Sequence, residues 1–199
     1  MFRDYLRRTG FRRQLTVTVS AAILALALFS SVMNSWEASR RLRGYFEQQG
    51  KRITENFGRQ STLALLYHSA DNAHEGITTT LSFPDLVEVK ITDVNHKSLI
   101  TQAKAGTTNP LKGHEAGTLS QSTLEEESDQ AWRFGAPVYE SQAEASPFEV
   151  QVREPKLLGY VHIVMSKGTL NKLTQSLLVG NLVISLSFAV VLLGLMRLL

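Results

Sequence analysis

Five side chains carry groups that could hold a small anion: Lys90, Arg133, Tyr139, Tyr160 and His162. All five can donate hydrogen bonds, and a bond from a charged donor to a carboxylate or phosphate is about twice as strong as a neutral one. Their positions are set by strand-like alternation. Trp132, Phe134, Ala136 and Val138 share one face of the stretch from Ala131 to Tyr139, which puts Arg133 and Tyr139 on the other. Leu157, Gly159, Val161, Ile163 and Met165 likewise oppose Leu158, Tyr160, His162 and Val164, and Lys90 lies opposite Val89 and Ile91 in Leu86 to Asp93. If helices cover one face of this sheet, the five groups line the other. Antiparallel sheets commonly leave one face in water, so an open, hydrated face is the favoured reading and a ligand pocket the alternative.

No other set of residues rises to a site. His68 and His74 are six apart, about 240° around a helix, so shared metal ligation is not expected. Glu125, Glu126, Glu127 and Asp129 lack the spacing and mid-loop glycine of a calcium loop and read as solvated charge. The sequence holds no phosphate-cradling glycine loop, H-E-x-x-H motif or nucleophile elbow, so neither catalytic residues, metal nor cofactor are expected. With no cysteine, disulfides and thiol chemistry are excluded.

The elements that must position these residues lie between two oily stretches. Leu15 to Met33 and Leu173 to Met196 contain no charged residue, and about 20 apolar residues suffice for a helix to cross a hydrocarbon core about 30 Å thick. Arg3, Arg7, Arg8, Arg12 and Arg13 precede the first stretch and favour a cytoplasmic N-terminus, although Arg40, Arg41 and Arg43 follow it. Trp36 suits the outer interface, and Arg197 marks the return to the cytoplasm. A cleaved signal peptide is disfavoured because the apolar run exceeds the usual length of about 7–15 residues and Asn34-Ser35-Trp36-Glu37 is a poor cleavage site. The expected division is 1–14 cytoplasmic, 15–36 first span, 37–172 periplasmic domain, 173–196 second span and 197–199 the start of a cytoplasmic segment. This places the chain in a bacterial inner membrane, with lipid as a partner. The middle carries about 15 basic and about 17 acidic side chains, which argues against a nucleic-acid partner.

Within the middle, Leu42, Phe46, Ile53, Phe57, Leu63 and Leu66 recur at helical spacing. This stripe could pack on its own domain or on a second subunit; Leu42, Phe46, Ile53 and Phe57 are the candidate contacts of a parallel homodimer. A second helix is expected from Ser61 to Leu81, ended by Pro84. Strands follow at Leu86 to Asp93 and Ser98 to Gln102 around an Asn95-His96-Lys97 turn, then at Ala131 to Tyr139, around Phe148 to Val152, and at Leu157 to Ser166. Between Ala103 and Asp129 a polar, acidic loop is expected. Gly168 and Thr169 open a helix running into the second span. Helices before a run of strands indicate an α+β fold, with long N-terminal helices packed on an antiparallel sheet.

This layout resembles the PAS-like extracytoplasmic input modules, of the PDC, Cache or CHASE type, of bacterial transmembrane receptors. The residues that carry the resemblance are Leu63-Ala64-Leu65-Leu66-Tyr67, Phe83-Pro84-Asp85-Leu86-Val87, the Lys90-Ile91-Thr92-Asp93-x-Asn95-His96-Lys97 hairpin, and Leu157-Leu158-Gly159-Tyr160-Val161 before the final helix. Similar layouts occur in HAMP-linked diguanylate cyclases and phosphodiesterases with GGDEF or EAL domains, and in sensor histidine kinases of the BarA and GacS kind. The resemblance implies a sensor that detects a periplasmic cue and passes it to a cytoplasmic output. Those families continue into a HAMP linker and a catalytic domain, so either a receptor fragment or a stand-alone membrane sensor is expected. No enzyme is expected within these residues. A membrane-anchored periplasmic scaffold, binding a regulator protein and no small ligand, is the alternative.

Overall fold

A computed structural model of the chain describes residues 11–111, 117–140 and 155–198. They form helix α1 (Phe11–Gln60), short helix α2 (Thr62–Leu66), a 3-10 turn (Ala70–Ala73), helix α3 (His74–Leu81), five strands and helix α4 (Gly168–Leu198). The strands are β1 (Leu86–Asp93), β2 (Ser98–Ala103), β3 (Thr123–Glu127), β4 (Ala131–Tyr139) and β5 (Leu157–Ser166). They make one antiparallel sheet in the order β2-β1-β5-β4-β3. The fold is therefore α+β, as expected. The expected strand around Phe148 to Val152 lies outside the described residues.

The described chain divides into two compact units: Gly44–Thr169, and the residues up to Arg43 together with those from Leu170 onward. In the first unit, α1 lays its apolar stripe on one sheet face. Gly50 sits where any side chain would overlap the ring of Phe134, and Gly58 meets Val161 and Val138. Gly50 and Gly58 thus stand where helix and sheet come closest. Phe57, Leu65, Ile77, Ile91, Trp132, Phe134 and Ile163 are at most 2% exposed, and burying side chains of this size contributes about 1.5–3 kcal/mol each. Phe46 and Ile53, at 7% exposed, join the same core. The stripe is used inside its own domain, so Phe46, Ile53 and Phe57 are not open to a second subunit, and Leu42 is only half-buried.

The expected helix from Ser61 to Leu81 is broken in three. His68 takes a left-handed φ of 48°, and the chain turns there with Ser69 N–H donating to Ala64 O at 3.0 Å. His68 and His74 consequently share no helix, and Leu63 and Leu66 fall on the exposed side of α2. The β1–β2 turn matches expectation. Asp93 Oδ1 accepts from the N–H groups of Asn95 and Lys97, both at 2.8 Å, and holds His96 at φ 60°.

The second unit is made of two helical segments, each belonging to a helix long and apolar enough to cross a membrane. Asn181 Nδ2 donates to Ser35 Oγ at 3.1 Å, and Ser31, Ser35 and Ala189 are buried between the segments. Small residues let backbones approach, and a polar pair holds them together where lipid offers no competing partner. Leu26, Phe29, Ile184 and Phe188 are all more than 60% exposed, an outward apolar surface that suits hydrocarbon rather than water.

Candidate functional site

The sheet face away from α1 is covered, not wet. After β2, Lys104 N–H and Thr107 Oγ1 donate to Val87 O, and Asn109 Nδ2 donates to Glu88 Oε1 at 3.0 Å, fastening the outgoing connection to β1. Leu111 then packs with Val87, Ala131 and Val164 in a small second core, and Leu119 is 8% exposed beside Gly135. The open-face reading is overturned because two isolated leucines of an otherwise polar stretch close over the strands.

Under this cover, Lys90, His162 and Gly135 stand in register across β1, β5 and β4. Tyr160 is the next residue of β5 on the same face, and Arg133 the next of β4 in the other direction. Tyr160 and His162 are each 2% exposed and Arg133 is 6% exposed, whereas Lys90 is half-buried. His96 stacks on Tyr160 with ring centroids 4.9 Å apart. Tyr139 stands apart at 40% exposed, beyond a register shift at the end of β4. Four of the five expected residues are therefore brought together, and the fifth is not.

The acidic run is the larger correction. Thr123–Glu127 is an edge strand paired with β4, not part of a solvated loop. Each of its three carboxylates meets a cationic or imidazole group: Glu125 Oε2 lies 2.8 Å from His162 Nδ1, Glu126 Oε2 accepts from Arg133 Nη1 at 2.7 Å, and Glu127 Oε1 accepts from Lys167 Nζ at 2.6 Å. The Glu125 and His162 side chains are 1% and 3% exposed, whereas the other two carboxylates keep about 30% of their surface in water. A shift of register between Leu124 and Glu126 frees Glu125 to reach inward, and the bare backbone of Gly135 leaves it room: a methyl there would come within 2.6 Å of the Glu125 carboxyl carbon.

His162 Nε2 faces Thr92 Oγ1 at 3.4 Å. Threonine, histidine and glutamate in this order resemble a nucleophile, base and acid. Thr92 is fully buried, however, and its hydroxyl is also 3.4 Å from Tyr160 O, so no substrate carbonyl reaches it. Among the described residues no cluster of three or more possible ligands could hold a metal ion. What the arrangement offers is a covered row of polar groups in which Glu125, His162 and Thr92 lie side by side.

The same strand is tied to the root of α4. Lys167, gripped by Glu127 and lying 4.9 Å over the Trp132 ring, immediately precedes that helix, and Thr169 Oγ1 donates to Asp85 Oδ1 at 2.7 Å in its first turn. Glu125, Glu126, Glu127 and Thr92 were not among the expected site residues. The available signal was that three consecutive carboxylates can be matched by Arg133 on β4, His162 on β5 and Lys167 just after it.

Residues 40–176 match the family model described as single cache domain 4. Neither a curated protein nor a solved structure matches the sequence. The match takes in the whole described sheet, α2 and α3, and the adjoining ends of α1 and α4, more than half of the chain. The chain therefore belongs to the single Cache domain 4 family, whose PAS-like domain is an extracytoplasmic sensor domain.

Proposed function

We propose that the chain is the input module of a bacterial receptor, with the Cache domain in the periplasm, both termini in the cytoplasm and the two apolar helices crossing the inner membrane. The cue is a small anion that competes with Glu125 for His162, assisted by Lys90, and so displaces β3. Because Glu127 on the same strand holds Lys167, the displacement reaches the start of α4, which carries it toward a cyclic-di-GMP enzyme or a histidine kinase. One observation carries this reading: two carboxylates of a single edge strand, Glu125 and Glu127, grip the buried histidine and the root of the exit helix. A ligand drives such a change only by binding the two states with different affinity. The receptor dimerises through surfaces other than the buried Phe46, Ile53 and Phe57.

The test is thermal unfolding of the whole chain in detergent micelles against a panel of small carboxylates, amino acids and phosphates. A ligand at about 100 times its Kd stabilises the native state by about 2.7 kcal/mol, which raises Tm by roughly 5–15 °C for a domain of this size. The rise should vanish in Lys90→Gln. No shift across the panel, together with stoichiometric crosslinking to a periplasmic protein, would instead establish the scaffold reading.

A further inference from the structure

Arg40, Arg41 and Arg43 follow the first apolar segment, on the side of the membrane where basic residues are least expected. The structure gives them an arrangement. Trp36, Arg40 and Arg43 lie at helical spacings of four and three and are all exposed along one face of α1, with the Arg40 guanidinium stacked 3.8 Å above the Trp36 ring. Arg41 pairs with Glu37 at 3.0 Å, both side chains more than half exposed. Glu37 is the only carboxylate from Leu15 to Arg43, and none follows Leu170, so with Lys172 this end carries an excess of about three positive charges.

The Asn181–Ser35 hydrogen bond sets the levels. At 1.5 Å per residue, Trp36 stands about 1.5 Å beyond Ser35, Arg40 about 7.5 Å and Arg43 about 12 Å, while Lys172 lies about 13 Å beyond Asn181 on the other helix. Both helices run into the Gly44–Thr169 unit at these ends, so the four cations share one side. The headgroup layer of one leaflet is about 5–7 Å thick. With the Trp36 ring at the hydrocarbon boundary, Arg40 is level with the lipid phosphates, and the longer reach of Arg43 and Lys172 lets them bend back toward the same layer.

We propose that this collar binds the headgroup of an anionic phospholipid in the outer leaflet. The Arg40 and Arg43 guanidinium groups donate paired hydrogen bonds to the phosphate, and the indole of Trp36 lies along the glycerol and upper acyl chain. The inference rests on the membrane placement of Proposed function, and its test separates the two. Trp36 is a built-in probe, because the other tryptophan, Trp132, is 1% exposed in the sheet core. The whole chain is reconstituted in vesicles containing equal mole fractions of phosphatidylglycerol and phosphatidylcholine, with one or the other brominated on its acyl chains, and tryptophan quenching is compared.

Each basic residue near a membrane surface favours anionic lipid roughly fivefold. Brominated phosphatidylglycerol should therefore quench at least about threefold more strongly than brominated phosphatidylcholine. The difference should disappear in Arg40→Gln/Arg43→Gln, and all quenching in Trp36→Phe. Equal quenching of the unaltered chain by both lipids overturns the collar and leaves the membrane placement standing. A preference that survives in the double variant overturns the assignment to these arginines. Absence of quenching by either lipid overturns the placement itself, and the collar with it.

Discussion

Replacing Glu125 with leucine will destabilise the Gly44–Thr169 unit by about 3 kcal/mol, the upper end of the penalty for leaving a buried polar group without its partner. The reason is geometric. His162 Nδ1 points at Glu125 Oε2 from 2.8 Å, both side chains are out of water, and Leu119 and Gly135 close the space around them. With the carboxylate gone, the imidazole loses its 2.8 Å partner in a place that water does not readily fill, and an unpaired buried polar group is expensive. His162→Leu should be damaging for the converse reason, since the carboxylate loses its 2.8 Å partner. The double variant Glu125→Leu/His162→Leu should recover most of the loss and fall within about 1–2 kcal/mol of the unaltered chain, because two apolar groups bury without an unmet partner. Urea unfolding followed by Trp132 fluorescence measures all three, and the coupling energy from the double-mutant cycle is the quantity to examine. A cycle that closes with near-zero coupling would mean that the two side chains do not act as a pair. Because native domains are stable by only about 5–15 kcal/mol, either single variant should also lower expression.

The second large effect is expected at Gly159. A methyl group there would overlap the carbonyl oxygen of Thr92 and come 3.1 Å from Asp93 Cα and 3.0 Å from Leu65 Cδ2. Two of these three neighbours are backbone, so no side-chain rotation relieves the clash. The β1–β5 pairing must open at Asp93↔Gly159, or α2 must retreat. Gly159→Ala should thus cost about 3 kcal/mol or more, at the upper end of what overpacking produces. Gly117→Ala is the internal control: among the described residues nothing lies within 4 Å of its Cβ position, so its stability should stay within about 0.5 kcal/mol of the parent.

Which elements were legible in the sequence follows from what each one buries. β1, β4 and β5 alternate between a helix-facing apolar row and a second row, and the sequence signal matched the observed bounds of all three because a period of two separates the faces of a strand. β3 reads Thr-Leu-Glu-Glu-Glu and buries almost nothing apolar. Its information lies in its partners: Arg133 is seven residues from Glu126, but His162 and Lys167 are 37 and 40 residues from Glu125 and Glu127, beyond any local window. The break at His68 was equally invisible, since a left-handed residue is ordinarily signalled by glycine or asparagine. The stripe on α1 was visible as a stripe, yet periodicity gives the direction of a helix face and not the identity of what packs there. That Gly50 and Gly58 are the closest approaches to Phe134 and Val161 decides for the sheet.

The candidate site was half legible for a related reason. Alternation correctly put Lys90, Arg133, Tyr160 and His162 on one face, because side-chain direction in a strand is a local property. It could not show that the face is covered. That depends on Leu111 and Leu119, single apolar residues in a polar connection whose docking is fixed by Asn109 on Glu88. Tyr139 was misjudged because the shift of register at the end of β4 carries it away from the row that parity assigned to it.

The placement of the Cache domain outside the cytoplasm, held by two spans, underlies everything proposed about ligand, signal and lipid. The chain has no cysteine, so a single introduced thiol reports one position. Asn95→Cys, on the exposed tip of the β1–β2 hairpin, should react with a membrane-impermeant maleimide in intact spheroplasts, whereas Thr9→Cys should react only after the membrane is broken. If Asn95→Cys is protected until lysis while Thr9→Cys reacts at once, the domain lies inside the cell and the account is contradicted.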